Sequence, residues 1–347
     1  MDLRPFLTKI ANGETLSESE AEAAFDVMMA GDATPAQMGA LLMGMRVRGE
    51  TAAELTGAAR AMRSHAVTIK APPGAIDTCG TGGDAKGTLN ISTAVALVVA
   101  GAGVPVAKHG NRAASSKSGS SDVLAALGVK IDADMALVER ALWEANIAFL
   151  MAPRHHGATR HVAGVRTELG TRTIFNLLGP LSNPANAPRQ LMGIFAADYV
   201  ERQARVLGAL GSERAWVVHG SDGMDELTTT GPSTVAELRD GKVTTFELTP
   251  EAAGVNRAAP GDLLGGSPEE NAAALRALLH GAKGPYRDIV IYNAAAALVV
   301  ADKAADLMAG AAMAAKSIDD GAALAALDKL VAITNAPPPP ETAPETR

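Results

Sequence analysis

The 347-residue chain carries 31 Lys and Arg against 38 Asp and Glu, a formal charge of -7, and only 3% aromatic residues. That balance provides no overall basic field for a nucleic-acid backbone, so phosphate binding has to be local, and the core has to be built from Ala, Val, Leu, Ile and Met. The length admits two domains, and the single cysteine, Cys79, excludes an internal disulfide and a CxxC knuckle.

The opening stretch, MDLRPFLTKIANGETLSESE, has no apolar region behind a basic start, so no secretory signal is expected and a cytoplasmic location fits the lone thiol. The first ~70 residues read as helical. Ser17 with Glu20, Thr34 with Gln37 behind Pro35, and Thr51 with Glu54 form three capping boxes. Ala21, Ala24, Phe25, Met28 and Met29 fall on one face of the first of these helices, which Gly31 ends. Short amphipathic helices cannot bury a face alone, so a small helical domain is expected, with surface to offer a partner or a second copy.

Next comes DTCGTGGDAKGTLNIST, residues 77 to 93, with glycines at 80, 82, 83 and 87. If a strand ends near Ile76 and a helix starts near Ser92, the intervening N–H groups converge on a helix N-terminus, a natural anion site. Neither the P-loop spacing nor the dinucleotide GxGxxG is present. The apolar run from Ile91 to Ala107 is interrupted and too short to span a bilayer, and reads as a buried helix followed by a buried strand.

From Ile76 onward, short β-branched runs alternate with Ala-rich helices. Strands are expected at Val104–Ala107, Ile147–Met151, Leu191–Phe195, Trp216–His219, Thr234–Leu238 and Lys242–Leu248. Helices are expected at Asp122–Leu127, Met135–Ala145 and Tyr199–Leu210. The alternation implies a mostly parallel sheet flanked by helices, and Asp240-Gly241 marks a late antiparallel hairpin.

Two further polar clusters follow strand positions. KHGNRAASSKSGSSDVLAALG, residues 108 to 128, sets Lys108, Arg112 and Lys117 among small donors, a composition suited to a phosphorylated ligand. HGSDGMDELTTTG, residues 219 to 231, places Asp222, Asp225 and Glu226 together without a Lys or Arg between them. Such carboxylates repel, and a hard cation such as Mg2+ relieves them, although a solvated acidic turn reads equally well on this segment alone. The end, APPPPETAPETR, is Pro-rich and expected to be disordered.

Taken in order, DTCGTGGD, NIST, KHGNRAASSKSGSSDVLAALG, VRTELGTRTIFNLLGPLSNPA and SDGMDE resemble the signatures of the anthranilate phosphoribosyltransferase family. The resemblance implies a nucleoside phosphorylase/phosphoribosyltransferase-like fold, with a small all-helical domain joined to a larger α/β domain. Residues 1–72, with a segment from about 170–188, would form the helical domain, 73–335 the α/β domain and 336–347 the tail. It also implies Mg2+, a homodimer through the helical domain, and no nucleic-acid or membrane partner. The substrates would be anthranilate and 5-phosphoribosyl-1-pyrophosphate, in tryptophan biosynthesis.

By the same resemblance, the phosphoribosyl donor would meet Gly80, Gly83, Asp84, Thr88, Asn90, Ile91, Ser92 and Thr93. It would also meet Lys108, His109, Gly110, Asn111, Arg112, Ala113, Ala114, Ser115, Ser116 and Ser120. Ser92, Asp225 and Glu226 would hold the metal, and Gly80, Asn111 and Arg166 would meet anthranilate. His109 and His156 are candidate acceptor-channel residues, while His155 and His161 read as packing or rim residues. Gly157 and Gly164 stand where the family usually has proline, which would loosen the acceptor entrance. Arg166 could alternatively cap a helix or brace the two domains, with Glu168 as partner. No acid or base is assigned, because the attacking nitrogen becomes acidic on its own. Two alternatives share parts of this pattern: a pyrimidine nucleoside phosphorylase and a non-catalytic, nucleic-acid-binding homologue.

Overall fold

A computed structural model describes residues 2–112 and 117–337. Four helices come first: α1 (Arg4–Ala11), α2 (Glu18–Ala30), α3 (Pro35–Arg48) and α4 (Ala52–Ser64). The last three start at the expected boxes, where the Ser17, Thr34 and Thr51 hydroxyls accept from the N–H groups of Glu20, Gln37 and Glu54. Gly31 closes α2 in the left-handed conformation, φ 82°. No side chain caps α1, so nothing in the sequence announces its start except Pro5 in its first turn.

The α/β part follows as β1 (Ile76–Gly80), α5 (Ile91–Gly101), β2 (Val106–Gly110), α6 (Ser120–Ala126), α7 (Met135–Glu144), β3 (Ile147–Met151), α8 (Ala152–His155), α9 (Arg160–Leu169), α10 (Phe175–Leu178), β4 (Arg189–Gly193), α11 (Val200–Ala209), β5 (Arg214–Gly220), β6 (Ser233–Arg239) and β7 (Lys242–Leu248). Helices α12 (Pro268–Leu279), α13 (Pro285–Val300), α14 (Leu307–Asp319) and α15 (Ala322–Thr334) complete it. The strands form one sheet in the order β3-β2-β1-β4-β5-β6-β7. The first five are parallel, and β6 and β7 run antiparallel. Asp240 and Gly241, with φ 51° and 72°, make the tight turn between β6 and β7.

Four strands depart from the sequence reading. A strand begins rather than ends at Ile76, the second lies at Val106–Gly110, two residues beyond the expected start, β4 lies at Arg189–Gly193, two residues ahead of the expected Leu191–Phe195, and β5 starts two residues early at Arg214. Strands buried on both faces are apolar throughout, so periodicity does not mark their ends.

Apolar packing on the two faces of the sheet explains the layers. On one face α5 lies against α13, α14 and α15. Val95, Leu97, Val98 and Val99 of α5 are each at most 1% exposed, a burial of about 1.5–3 kcal/mol per side chain. On the other face Met192, Val217 and Ala236 meet α11 and continue into the cluster of α1–α4, where Phe25, Met28, Leu41 and Leu42 pack with Val162 and Val165 of α9 and Phe175 of α10. The small helical layer is therefore completed by α9 and α10, which return to it from the α/β part. Ala336 packs against the cluster around Ile69 and Leu137, and the rest of the expected tail, 338–347, lies outside the described residues. Among the described residues no helix is long and apolar enough to cross a membrane.

Candidate active site

Strand order reverses between β1 and β4, and the crevice beyond the carboxyl ends of such strands is where open α/β sheets bind ligands. Here those ends are Gly80 and Gly193, paired side by side. A β-carbon on Gly80 would stand 2.3 Å from Asp225 Oδ2, and one on Gly193 would stand 1.6 Å from the Asp225 carbonyl oxygen. Both glycines are therefore required by the close approach of the β5–β6 loop.

Between β1 and α5 the loop is pinned at its root. Thr81 donates its N–H to Gly193 O at 3.0 Å, and its hydroxyl accepts from Phe195 N at 3.1 Å. Gly82 N–H donates to Asp225 Oδ2 at 2.7 Å. The N–H groups of Gly83, Asp84 and Thr88 donate to no acceptor among the described residues. These free donors precede the N-terminus of α5, the arrangement that binds anions. Asn90 ties three segments together, bonding Ser118 O at 3.2 Å and accepting from Asn271 Nδ2 at 2.9 Å. Ile91 and Thr93 point into the core, and the buried Thr93 hydroxyl has no partner among the described residues.

Lys108 on β2 is 2% exposed and donates to Thr78 O at 2.6 Å and Ser92 Oγ at 3.2 Å. Burial pushes its pKa down, opposed by the charge of Asp77. Asp77 itself is fully buried, accepting from His109 N at 3.1 Å and from Asn183 Nδ2 at 2.7 Å. His109 donates from Nδ1 to Gly179 O at 3.0 Å, and its buried Nε2 has no partner among the described residues; the ring lies 5.2 Å, centre to centre, from that of His156. Burial first, then their histidine neighbours, lowers the two imidazoles to about 3 for His109 and about 4 for His156, so both are neutral at pH 7. At the rim, Ser120 Oγ donates to Asn111 O at 3.2 Å beside Gly110, while Asn111 and Arg112 are exposed. Ala113, Ala114, Ser115 and Ser116 lie outside the described residues.

The acidic cluster divides. Asp222 accepts hydroxyl hydrogens from Thr228 and Thr230, each at 2.7 Å, and shapes the loop. Burial, and then the neighbouring charge of Asp84, lifts Asp225 to about 7. Glu226 is raised well above the usual carboxylate range by burial and Asp225, although Ser92 N–H bonds it and Lys108 opposes the shift. The sequence impression of a pair without a basic neighbour is thus corrected: Lys108 reaches it from 118 positions away in the chain, and the Lys86 side chain lies against Gly223 in the same loop. Among the described residues no three His, Cys, Asp or Glu side chains converge as a ready-made metal cage.

Across the crevice, Arg166 of α9 holds its guanidinium 5.1 Å above the Phe175 ring. It is half-buried, and among the described residues no carboxylate pairs with it, Glu168 included. His155 bonds Val67 O and His161 packs against Gly31, as packing residues do. Gly157 opens a short helical turn after α8, and Gly164 sits inside α9 with open space around it. Sequence reasoning missed Asp77, Asn183, Lys86 and Arg172. Arg172 donates to Gly83 O and stacks 4.2 Å over Phe195. A second arginine six residues after Arg166 was the available signal.

A sheet with this switch point, a phosphate-type loop and a helical layer over the crevice define a sugar-phosphate transferase. Residues 4–66 match the family model for the glycosyl transferase family helical bundle domain, and 72–324 match that for its a/b domain. The anthranilate phosphoribosyltransferases of Paramagnetospirillum magneticum and Rhodospirillum rubrum are each 63% identical to this chain, over 96% and 97% of it and the same shares of their own lengths. The crystal structure of the Thermus thermophilus enzyme, 44% identical, superposes with a TM-score of 0.91 over 97% of this chain and 100% of its own. That of Saccharomyces cerevisiae in complex with PRPP and Mg, 27% identical, gives 0.87 over 96% and 97%. The chain belongs to the anthranilate phosphoribosyltransferase family, which sets aside the nucleoside phosphorylase alternative.

Proposed function

We propose that the donor lies against the β1–α5 and β2–α6 loops, that Mg2+ sits at Ser92, Asp225 and Glu226, and that anthranilate lies between Gly80, Asn111 and Arg166. The reaction is transfer of the phosphoribosyl group of 5-phosphoribosyl-1-pyrophosphate to the amine of anthranilate, giving N-(5-phosphoribosyl)anthranilate and pyrophosphate, in L-tryptophan biosynthesis. The observation that carries this reading is the convergence, at one switch point, of unpartnered loop N–H groups, buried Lys108 and the crowded acid pair.

The donor set fits Mg2+, which takes hard oxygens from one or two carboxylates and keeps positions for water and phosphate. Burial, and then the charge of neighbouring carboxylates, raises the proton affinity of Asp225 and Glu226, and a divalent cation relieves it. When bound, the cation neutralises charge on the leaving pyrophosphate. The protein's own work is positioning. Loop N–H groups and Lys108 hold the pyrophosphate, and Arg166 pairs with the acceptor carboxylate so that its ortho amine faces the anomeric carbon. The C–N bond forms as the C–O bond breaks, with positive charge developing on the ribose. The pyrophosphate leaves with the electron pair, and the ammonium proton passes to solvent. Neutral His109 and His156 line the acceptor side without serving as assigned bases.

Residues 1–72, completed by 170–188 and joined by α9, act as the helical domain, with the rest of 73–335 as the donor domain. The helical domain, on the same reading, also makes a homodimer. The protein works in the cytoplasm, on small molecules rather than nucleic acid or membrane. Purified protein with anthranilate, the phosphoribosyl donor and Mg2+ should consume anthranilate fluorescence. Folded protein that leaves the fluorescence unchanged overturns the reading.

A further inference from the structure

We infer that Arg172 is a positioning residue that couples the acceptor arm to the donor loop. The inference rests on the donor placement proposed above. Arg172 lies in the connection between α9, which carries Arg166, and α10, where Phe175 receives the Arg166 guanidinium. From there it reaches the tip of the β1–α5 loop and donates to Gly83 O. Its guanidinium also stacks 4.2 Å over the Phe195 ring, just beyond β4. Phe195 in turn donates its N–H to Thr81 Oγ1 at the root of the same loop. Root and tip are thus held from one residue pair, Phe195 and Arg172.

The chemical consequence lies in the Gly83–Asp84 peptide. In a trans peptide the C=O and the N–H point in opposite directions. With the Gly83 carbonyl drawn toward Arg172, the Asp84 N–H is aimed away from it, and that N–H has no acceptor among the described residues. Gly83, at φ 75°, and Gly82, at φ 65°, leave the loop free to turn this peptide over. A flipped peptide would present a carbonyl where a phosphate needs a donor. Arg172 fixes the plane by a charge-assisted bond, and its stacking on Phe195 fixes the guanidinium.

Steady-state kinetics in both substrates test this on the full chain. Arg172→Ala should raise KM for phosphoribosyl pyrophosphate about 5- to 20-fold, with anthranilate KM changed less than about twofold and the melting temperature nearly unchanged. Arg172→Lys, which keeps a donor and loses the planar stack, should recover part of the loss. Phe195→Leu should move the donor KM in the same direction, and the double variant should be less than additive. Equal rises in both KM values, a lowered melting temperature without a kinetic split, or full additivity overturns the inference. Wild-type protein without turnover would instead overturn the functional reading itself, so the two failures are separable.

Discussion

Gly80→Ala places a single methyl group against the acid loop without asking the backbone for an unusual conformation, since Gly80 is not among the positive-φ glycines. The new carbon would stand 2.3 Å from Asp225 Oδ2 and 3.0 Å from its Cγ. Ordinary carbon contacts begin near 3.5 Å, so the carboxyl group has to move by about 1 Å. That displacement breaks its 2.7 Å bond from Gly82 N–H. A hydrogen bond to a charged group contributes about 1.5–3 kcal/mol, equivalent to about 10- to 150-fold in an equilibrium constant. The expected outcome is a rise of that order in the Mg2+ concentration for half-maximal turnover, with a fall in melting temperature of only a few degrees. The assay is anthranilate fluorescence decay across a Mg2+ titration, beside thermal melts of the same preparation. An unchanged Mg2+ requirement would refute the placement of Asp225 at the cation.

Three further outcomes follow from the site. Asp225→Asn with Glu226→Gln should abolish most Mg2+-dependent turnover, yet melt at or above the wild-type temperature at pH 8 without Mg2+, because neutral amides carry no charge that burial penalises; a large drop in the melt would show the pair to be structural. Arg166→Ala should raise the anthranilate KM about tenfold or more and leave the donor KM nearly unchanged, and an equal effect on both substrates would remove it from the acceptor side. His109 and His156, lowered in the fold to about 3 and about 4, resist protons that the unfolded chain accepts below about pH 6.5. Their stability contribution is therefore intact above pH 6.5 and lost as pH falls toward those values, by up to about 2 kcal/mol per ring at pH 5. The His109→Gln, His156→Gln double variant should flatten that part of the melting-temperature profile between pH 7 and 5, and parallel wild-type and variant profiles would contradict the assignment.

What the chain disclosed in advance was what local chemistry dictates. The boxes at Ser17, Thr34 and Thr51 are contained within four residues each, and they cap helices as read. The hairpin at Asp240-Gly241 is equally local. The glycine loop was legible as a cradle, but the reason for Gly80 was not, because the group that crowds it, Asp225, is 145 positions away. Lys108 beside Glu226, and Asp77 beneath His109, are likewise products of strand order rather than spacing. The ends of β1, β2 and β4 and the start of β5 were misplaced because strands covered on both faces give no alternation to read. Arg172 escaped notice as one exposed cation among many, and only its two partners distinguish it.

The last strand limits how copies of this molecule can meet. A sheet rim with open N–H and C=O groups is a template on which another chain can add a strand and start a fibre. At β7 the outer positions are Lys242, Thr244, Thr245 and Glu247, all exposed, and charge at both ends of the strand discourages an incoming one. At the opposite rim, β3 is buried along its whole length and covered by α7 and α8. Concentrated or gently heated protein should therefore stay free of cross-β aggregates while native. Fibre growth would have to wait for the β6–β7 hairpin to peel away, which makes resistance to thioflavin-positive aggregation a gauge of how firmly that hairpin is held.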